Sequence, residues 1–177
     1  MKDYILDQSK IKCNVICIDW SKPAASENYI EVQPRGPVVA LMITHFMKRL
    51  IALMNVSFDD IHCIGHSMGA QICGFIGKAL VKDKMARITA LDPAGLGYFD
   101  KPGTRIVSSP LTYRDANLVL VVHTSAVLQT KDGKNQAKFF IPVQLILYLL
   151  SKGINPGGFL AHHGFLGHYD FWINGGI

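Results

Sequence analysis

The sequence lacks most of the features that assign a function at first sight. Only 18% of its 177 residues are charged, the net charge is +5, and no cluster of Lys and Arg with aromatic residues suggests nucleic-acid binding. The four cysteines do not have the spacing of metal ligands. The longest apolar run, 139–150, contains Pro142 and Gln144 and is too short to span a membrane. These absences predict no cofactor, no metal, no nucleic-acid partner and no transmembrane segment.

The sequence also contains little that identifies a cellular compartment. Residues 1–4 begin no apolar signal region. Cys13 and Cys17 fall on one predicted strand, where their separation of about 13 Å is too long for a disulfide. Cys63 and Cys73 are interpreted as small buried residues of a strand and a helix. The cysteines therefore leave the redox compartment open.

What the sequence does contain is enough apolar residues for a core, arranged in alternating elements. Hydrophobic residues make up 49% of the chain, which is typical of one globular domain. Short apolar runs predict strands at 13–18, 61–65, 86–91 and 118–122. Apolar residues that recur every three to four positions predict helices at 36–54 and 68–81. The recurring positions of the first helix are Val39, Met42, Ile43, Phe46, Leu50 and Leu53. This alternation predicts an α/β protein with a parallel sheet.

The most informative motif is Gly65-His66-Ser67-Met68-Gly69, which joins a predicted strand to a predicted helix. Gly-x-Ser-x-Gly in this context predicts a nucleophile elbow, a sharp turn that exposes the serine hydroxyl above the sheet edge. We expect Gly65 and Gly69 to give the strand and the helix room to approach at the bend. The structural alternative is that Ser67 is only a helix N-cap.

A carboxylate follows the next predicted strand. Asp92 comes directly after the strand at 86–91. Because neighbouring parallel strands end at the same edge, about 4.8 Å apart, one histidine could bridge Ser67 and Asp92. Ser67 would then be the nucleophile, Asp92 would orient the base, and the backbone N–H of Met68 would donate to the oxyanion. The alternative role for Asp92 is a turn former before proline.

Five blocks of the sequence occur in an order typical of one family. They are Gly65 to Phe75, Asn14 to Trp20, Ile88 to Gly95, Asp115 to Ser125 and Gly167 to Gly176. In sequence and spacing they resemble the animal pancreatic-lipase family, which includes insect neutral lipases and vespid venom phospholipase A1. The resemblance implies a secreted α/β-hydrolase, with a mostly parallel sheet flanked by helices, that cleaves carboxylic esters of lipids at a lipid interface. It also implies that Ser67 is the nucleophile and Asp92 the triad acid.

The sequence departs from the family pattern at both ends and in one internal segment. In the family an upstream His-Gly loop supplies the second oxyanion N–H, and the triad histidine lies past the Asn-Gly-Gly turn, here at 174–176. We therefore expect residues 1–177 to be one partial hydrolase domain, with its catalytic base beyond Ile177. Residues 127–163 are an atypical insertion, either a helix that docks on lipid or a gene-model artefact such as a translated intron.

The seven histidines and Asp115 can also be considered as functional residues. We expect each histidine to have a structural or surface role rather than to act as the base: His45, His62, His66, His123, His162, His163 and His168. Asp115 fits one ligand position of the calcium site of some family members, but Thr112 occupies the neighbouring position. Since one carboxylate is thin support for calcium, none is predicted.

Three functional hypotheses remain open. In the first, the protein that contains this chain is a triacylglycerol lipase or a phospholipase A1 that works through an acyl-enzyme at Ser67. The second is a catalytically inactive lipid-binding or yolk-type relative. The third is an inactive gene-model fragment that lacks the triad histidine. The presence of both Ser67 and Asp92 favours the first.

Overall fold

The computed structural model describes residues 1–9, 12–26, 28–95, 97–98, 109–124 and 165–173. Two features predicted from the sequence lie outside these ranges, namely the insertion at 127–163 and the Asn-Gly-Gly turn at 174–176. His162 and His163 lie outside them as well.

Four strands form one parallel sheet, in which they lie side by side in chain order. The strands are β1 (His62–His66), β2 (Arg87–Leu91), β3 (Leu118–His123) and β4 (Tyr169–Trp172). The strands predicted at 61–65, 86–91 and 118–122 are thereby confirmed, with bounds that differ by at most one residue. Since all four strands run in one direction, their carboxyl ends lie along a single edge of the sheet.

The helices are α1 (Lys2–Gln8), α2 (Tyr29–Val32), α3 (Gly36–Met54) and α4 (Met68–Leu80). The last two confirm the helices predicted at 36–54 and 68–81. α4 connects β1 to β2 and packs against both strands, while α3 packs against α4. The helix that follows the turn after β1 therefore packs against a second helix as well as against the sheet.

Helix α3 is apolar on nearly all sides. It has Pro37 in its first turn and ends at Asn55, whose φ of 50° is left-handed, as is common at a helix C-terminus. Its buried residues are Gly36, Val39, Ala40, Thr44 and Met47. Met42, Phe46 and Leu53, which belong to the predicted apolar repeat, are exposed. Apolar periodicity thus predicted the helix, but only part of the predicted repeat, Val39 and Ile43, packs against the core.

The helical stretch Tyr29–Met54 is long and apolar enough to cross a membrane by length and composition, and 22% of its most apolar window is buried. It is the one such stretch among the residues that the structure describes. A core helix of a soluble protein or a signal sequence passes the same test, so the stretch does not amount to a clear membrane span.

The core lies between the sheet and α4. Ile88 and Ala90 of β2 and Val119 and Val121 of β3 are fully buried and alternate with half-buried residues along each strand. On the other face of the sheet, Tyr169 of β4 is exposed. Parallel sheets are usually covered on both faces. Within the described part of the chain, only the α4 face is fully covered.

The strand predicted at 13–18 is wrong. Residues 12–20 have no regular secondary structure, and Ile16 and Ile18 are exposed. Among the described residues, no backbone hydrogen bond joins this segment to the sheet. Trp20, at its end, does pack against the core. A short apolar run becomes a strand only where a neighbouring strand pairs with it, and the run itself contains no information about that partner.

Candidate active site

Ser67 is the residue between β1 and α4, as its sequence position predicted. Its φ is 53° and its ψ is −119°, a conformation that costs a non-glycine residue about 1–3 kcal/mol. Hydrogen bonds hold both of its backbone groups. The N–H donates to the Leu91 carbonyl at 2.9 Å, and the carbonyl accepts from the N–H groups of Ala70 at 3.1 Å and Ala94 at 3.2 Å. The strained turn is therefore fixed by the end of β2 and by the loop that follows it.

The two glycines that flank Ser67 have different roles. A β-carbon on Gly65 would lie 2.3 Å from the carbonyl oxygen of Gly69, so no side chain fits there. The expectation that Gly65 gives room at the bend is confirmed. A β-carbon on Gly69 would meet nothing within 4 Å, so the same expectation for Gly69 is wrong. It is the backbone of Gly69, not its missing side chain, that lies against Gly65.

Asp92 occupies the corresponding position after β2. Its φ is 41°, and its N–H donates to the Val122 carbonyl at 2.8 Å. Its carboxylate accepts hydrogen bonds from the Thr124 N–H at 2.6 Å and from the Thr124 hydroxyl. The side chain is half-buried. Asp92 is therefore held against the end of β3 with its carboxylate in a defined orientation.

The sheet register brings Ser67 and Asp92 to the same edge. His66 lies opposite Leu91 in the pairing of β1 with β2. Ser67 and Asp92 are the residues that directly follow His66 and Leu91. The two therefore lie next to each other at the carboxyl edge of the sheet. Met68 is the first residue of α4, and its N–H has no acceptor within the helix because it lies in the first turn. The placement of all three residues agrees with the sequence, and their chemical roles stay predictions.

A disulfide crosses this turn. Cys63 of β1 and Cys73 of α4 are bonded, with their Cα atoms 6.0 Å apart. The interpretation of these cysteines as small buried residues of a strand and a helix holds for Cys73, while Cys63 is half-buried, and the sequence did not predict the bond between them. The chain reverses at Ser67, and this reversal brings two cysteines that are ten positions apart into contact. Cys13 and Cys17 are exposed free thiols.

His123 and Asp170 join the last two strands. His123 is fully buried, its Nε2 lies 2.9 Å from an Asp170 carboxylate oxygen, and its ring stacks on Trp172 at 3.9 Å. The same carboxylate accepts the N–H groups of Leu166 at 3.1 Å and Gly167 at 3.0 Å. These contacts connect β3 to β4 and fit the structural role expected for His123.

The other described histidines are spread over the sheet and its surroundings. His62 has its Nε2 2.8 Å from the Thr89 hydroxyl, and burial together with the nearby Arg87 lowers its pKa. The Nδ1 of His168 accepts the Val119 N–H at 2.9 Å. His45 and His66 are exposed.

Asp115 has a structural environment. Its carboxylate forms an ion pair with Lys78 and accepts the Thr112 N–H at 2.8 Å, which caps a short 3₁₀ turn. A β-carbon on Gly77 would lie 2.0 Å from the Asp115 carbonyl oxygen, so α4 packs tightly against this turn. No group of three potential metal ligands occurs in the part of the chain that the structure describes.

Two residues near Ser67 and Asp92 were not identified from the sequence. One is Thr124, which binds the Asp92 carboxylate. The other is Gln71, which is fully buried, donates from Nε2 to the Ala94 carbonyl at 2.7 Å and accepts the Leu111 N–H at 2.8 Å. A signal for Gln71 existed, since it is a polar residue in a helix whose neighbouring residues are small or apolar.

Comparison with known proteins agrees with this arrangement. The model of the Lipase family matches residues 3–135. This chain belongs to the Lipase family. Lipase member H of Rattus norvegicus is 30% identical over 164 residues, which cover 93% of this chain and 28% of that protein. Phospholipase A1 of Vespa velutina is 31% identical over 169 residues, 89% of this chain and 51% of that protein. Phospholipase A1 2 of Dolichovespula maculata is 33% identical over 148 residues, 77% of this chain and 47% of that protein.

Membership of the Lipase family confirms the resemblance seen in the sequence. It also confirms the fold class, because the parallel sheet flanked by helices is a partial α/β-hydrolase fold. The chain spans about a quarter to a half of the length of these relatives.

Proposed function

We propose that the protein containing this chain is a serine carboxylic-ester hydrolase that acts on lipids through an acyl-enzyme at Ser67. The observation that carries the proposal is the position of Ser67 in a positive-φ turn between β1 and α4, with Asp92 at the end of the neighbouring strand. Relatives named lipase and phospholipase A1 favour a lipid ester as the substrate, either a triacylglycerol or a phospholipid.

The proposed reaction has two halves. The Ser67 hydroxyl oxygen attacks the ester carbonyl carbon, and its proton passes to a histidine base that the family resemblance places after the Asn-Gly-Gly turn. The tetrahedral oxyanion receives a hydrogen bond from the Met68 N–H. Collapse breaks the bond to the alcohol, which leaves with the proton from the base. Water then attacks the acyl-enzyme by the same steps and releases the fatty acid and free Ser67.

The local geometry suits these roles. The amino end of α4, with the Met68 N–H in its first turn, lies directly after Ser67, and the helix dipole there favours a developing negative charge. The Asp92 carboxylate is held by Thr124, the residue that follows β3. An ionised carboxylate has about four lone-pair positions, so it can still accept the N–H of an imidazole. Thr124 thus fixes the orientation of Asp92 without using up its acceptor capacity.

We also propose that the protein is secreted and works at a lipid interface. The disulfide between Cys63 and Cys73 supports this location, because disulfides persist in oxidising compartments and are rare in the cytosol. The family resemblance supports it independently.

The function is tested by hydrolysis assays on the full-length protein with phospholipid vesicles and with triacylglycerol emulsions. Ser67→Ala is expected to lower kcat by several orders of magnitude, and Asp92→Asn by about 10⁴-fold. Ser57→Ala is the matched control, since it removes a serine that caps the turn before β1 at a site away from Ser67. Full activity of Ser67→Ala would contradict the proposal. Lipid binding without turnover by the wild-type protein would favour the non-catalytic relative instead.

A further inference from the structure

We propose that Gln71 is a positioning residue that sets Asp92 relative to Ser67. The inference rests on the proposed function, because it concerns the same two residues. Gln71 lies in α4 about one helical turn after Ser67. It is fully buried, and both ends of its amide are hydrogen-bonded to backbone groups of other segments.

The connection to the site runs through Ala94. Its N–H donates to the Ser67 carbonyl at 3.2 Å, and its carbonyl accepts from Gln71 Nε2 at 2.7 Å. Ala94 is therefore held at both of its backbone groups by the turn and the first part of α4. Only Pro93 separates it from Asp92, and the proline ring fixes the φ of that link. A displacement of Ala94 is thus transmitted directly to Asp92.

The second hydrogen bond fixes the direction of the amide. Gln71 Oε1 accepts the Leu111 N–H at 2.8 Å, and Leu111 is fully buried. The site needs a donor towards Ala94 and an acceptor towards Leu111, and the glutamine amide supplies one of each. An apolar side chain of the same size would leave both backbone groups without these partners. Gln71 therefore connects α4, the loop after β2 and the segment that leads to β3.

A purely structural role for Gln71 would affect stability alone. A positioning role also affects the reaction, since a well-placed Asp92 stabilises the imidazolium form of the base and so raises its pKa. If Asp92 shifts, kcat falls, and the acidic limb of the profile of kcat/KM against pH moves to lower pH. KM depends on contacts with the lipid and is expected to change little.

The test compares Gln71→Met with Thr44→Val in the full-length protein. Thr44 is also buried and donates to the Ala40 carbonyl at 2.8 Å, but it lies in α3, outside the turn and its hydrogen bonds. Gln71→Met is expected to lower kcat by about 10- to 100-fold, in line with the cost of small misplacements in active sites, and to move the acidic limb to lower pH. Thr44→Val also loses a buried hydrogen bond, but it is expected to leave both kcat and the acidic limb of the pH profile unchanged.

A second variant keeps the proposal testable if Gln71→Met does not fold. The protonated carboxyl of Gln71→Glu can donate to Ala94 while it accepts from Leu111, so the kcat of this variant relative to wild type is expected to rise as the pH is lowered. Equal kcat values and pH profiles for the Gln71 and Thr44 variants would overturn the positioning role. Activity that survives Ser67→Ala would instead refute the proposed function, whatever the Gln71 variants do.

Discussion

Gly65 lies so close to the backbone of Gly69 that a β-carbon on Gly65 would be 2.3 Å from the Gly69 carbonyl oxygen. This contact closes the turn between β1 and α4. Gly65→Ala is therefore expected to lower the free energy of unfolding by about 3 kcal/mol or more, because the clash is with backbone that cannot rotate away. Chemical denaturation of the variant measures the loss.

Gly69→Ala is the matched control for this prediction. A β-carbon at that position meets no atom within 4 Å and lies in the first turn of a helix. Alanine favours a helix over glycine by up to about 1 kcal/mol, so the variant is expected to be as stable as wild type or slightly more stable. If Gly65→Ala and Gly69→Ala lowered the free energy of unfolding equally, the turn would not depend on the close contact between Gly65 and the Gly69 backbone.

The Cys63–Cys73 disulfide is expected to stabilise the same turn. It closes a loop of about ten residues, for which the chain-entropy model gives about 3 kcal/mol. The double variant Cys63→Ala, Cys73→Ala is expected to lose that amount in a denaturation experiment. A reducing agent should lower the melting temperature of the wild type and leave the double variant unchanged. A wild-type protein that does not respond to the reductant would contradict this prediction.

Val81 has a strained backbone at the end of α4. Its φ is 54° and its ψ is −70°, and the Lys82 N–H donates to the Leu80 carbonyl at 2.6 Å, which closes a tight three-residue turn. A β-branched residue rarely adopts a positive φ. The residue is 79% exposed, so Val81→Gly loses little packing and is expected to stabilise the protein by about 1 kcal/mol.

Val81→Ala serves as the comparison for this gain. Alanine keeps the β-carbon that makes a positive φ unfavourable, so a much smaller change in melting temperature is expected. A glycine variant that is no more stable than the alanine variant would show that the turn is not strained in solution.

The sequence was sufficient to place Ser67 and Asp92 because that placement depends on local patterns and one topological rule. Each residue follows an apolar run that forms a strand, and parallel strands end at one edge. The helices were predictable for the same reason, since their apolar periodicity is a property of the segment itself.

The features that escaped prediction depend on contacts between distant segments. The segment 13–18 has the composition of a strand but no pairing partner among the described residues. The bond between Cys63 and Cys73 required the reversal at Ser67, and the role of Gln71 required Ala94 and Leu111 to come together around it. Local sequence patterns contain no information about contacts between such distant segments, so these contacts were found only in the structure.

The most direct test of the account is to treat the full-length protein with a fluorophosphonate and to identify the modified residue by mass spectrometry. Such reagents phosphonylate an activated serine and leave ordinary serines unmodified. We predict a single adduct on Ser67, present in Ser57→Ala and absent from Ser67→Ala. Labelling that persists in Ser67→Ala, or an adduct on a different residue, would contradict the assignment of Ser67 as the nucleophile.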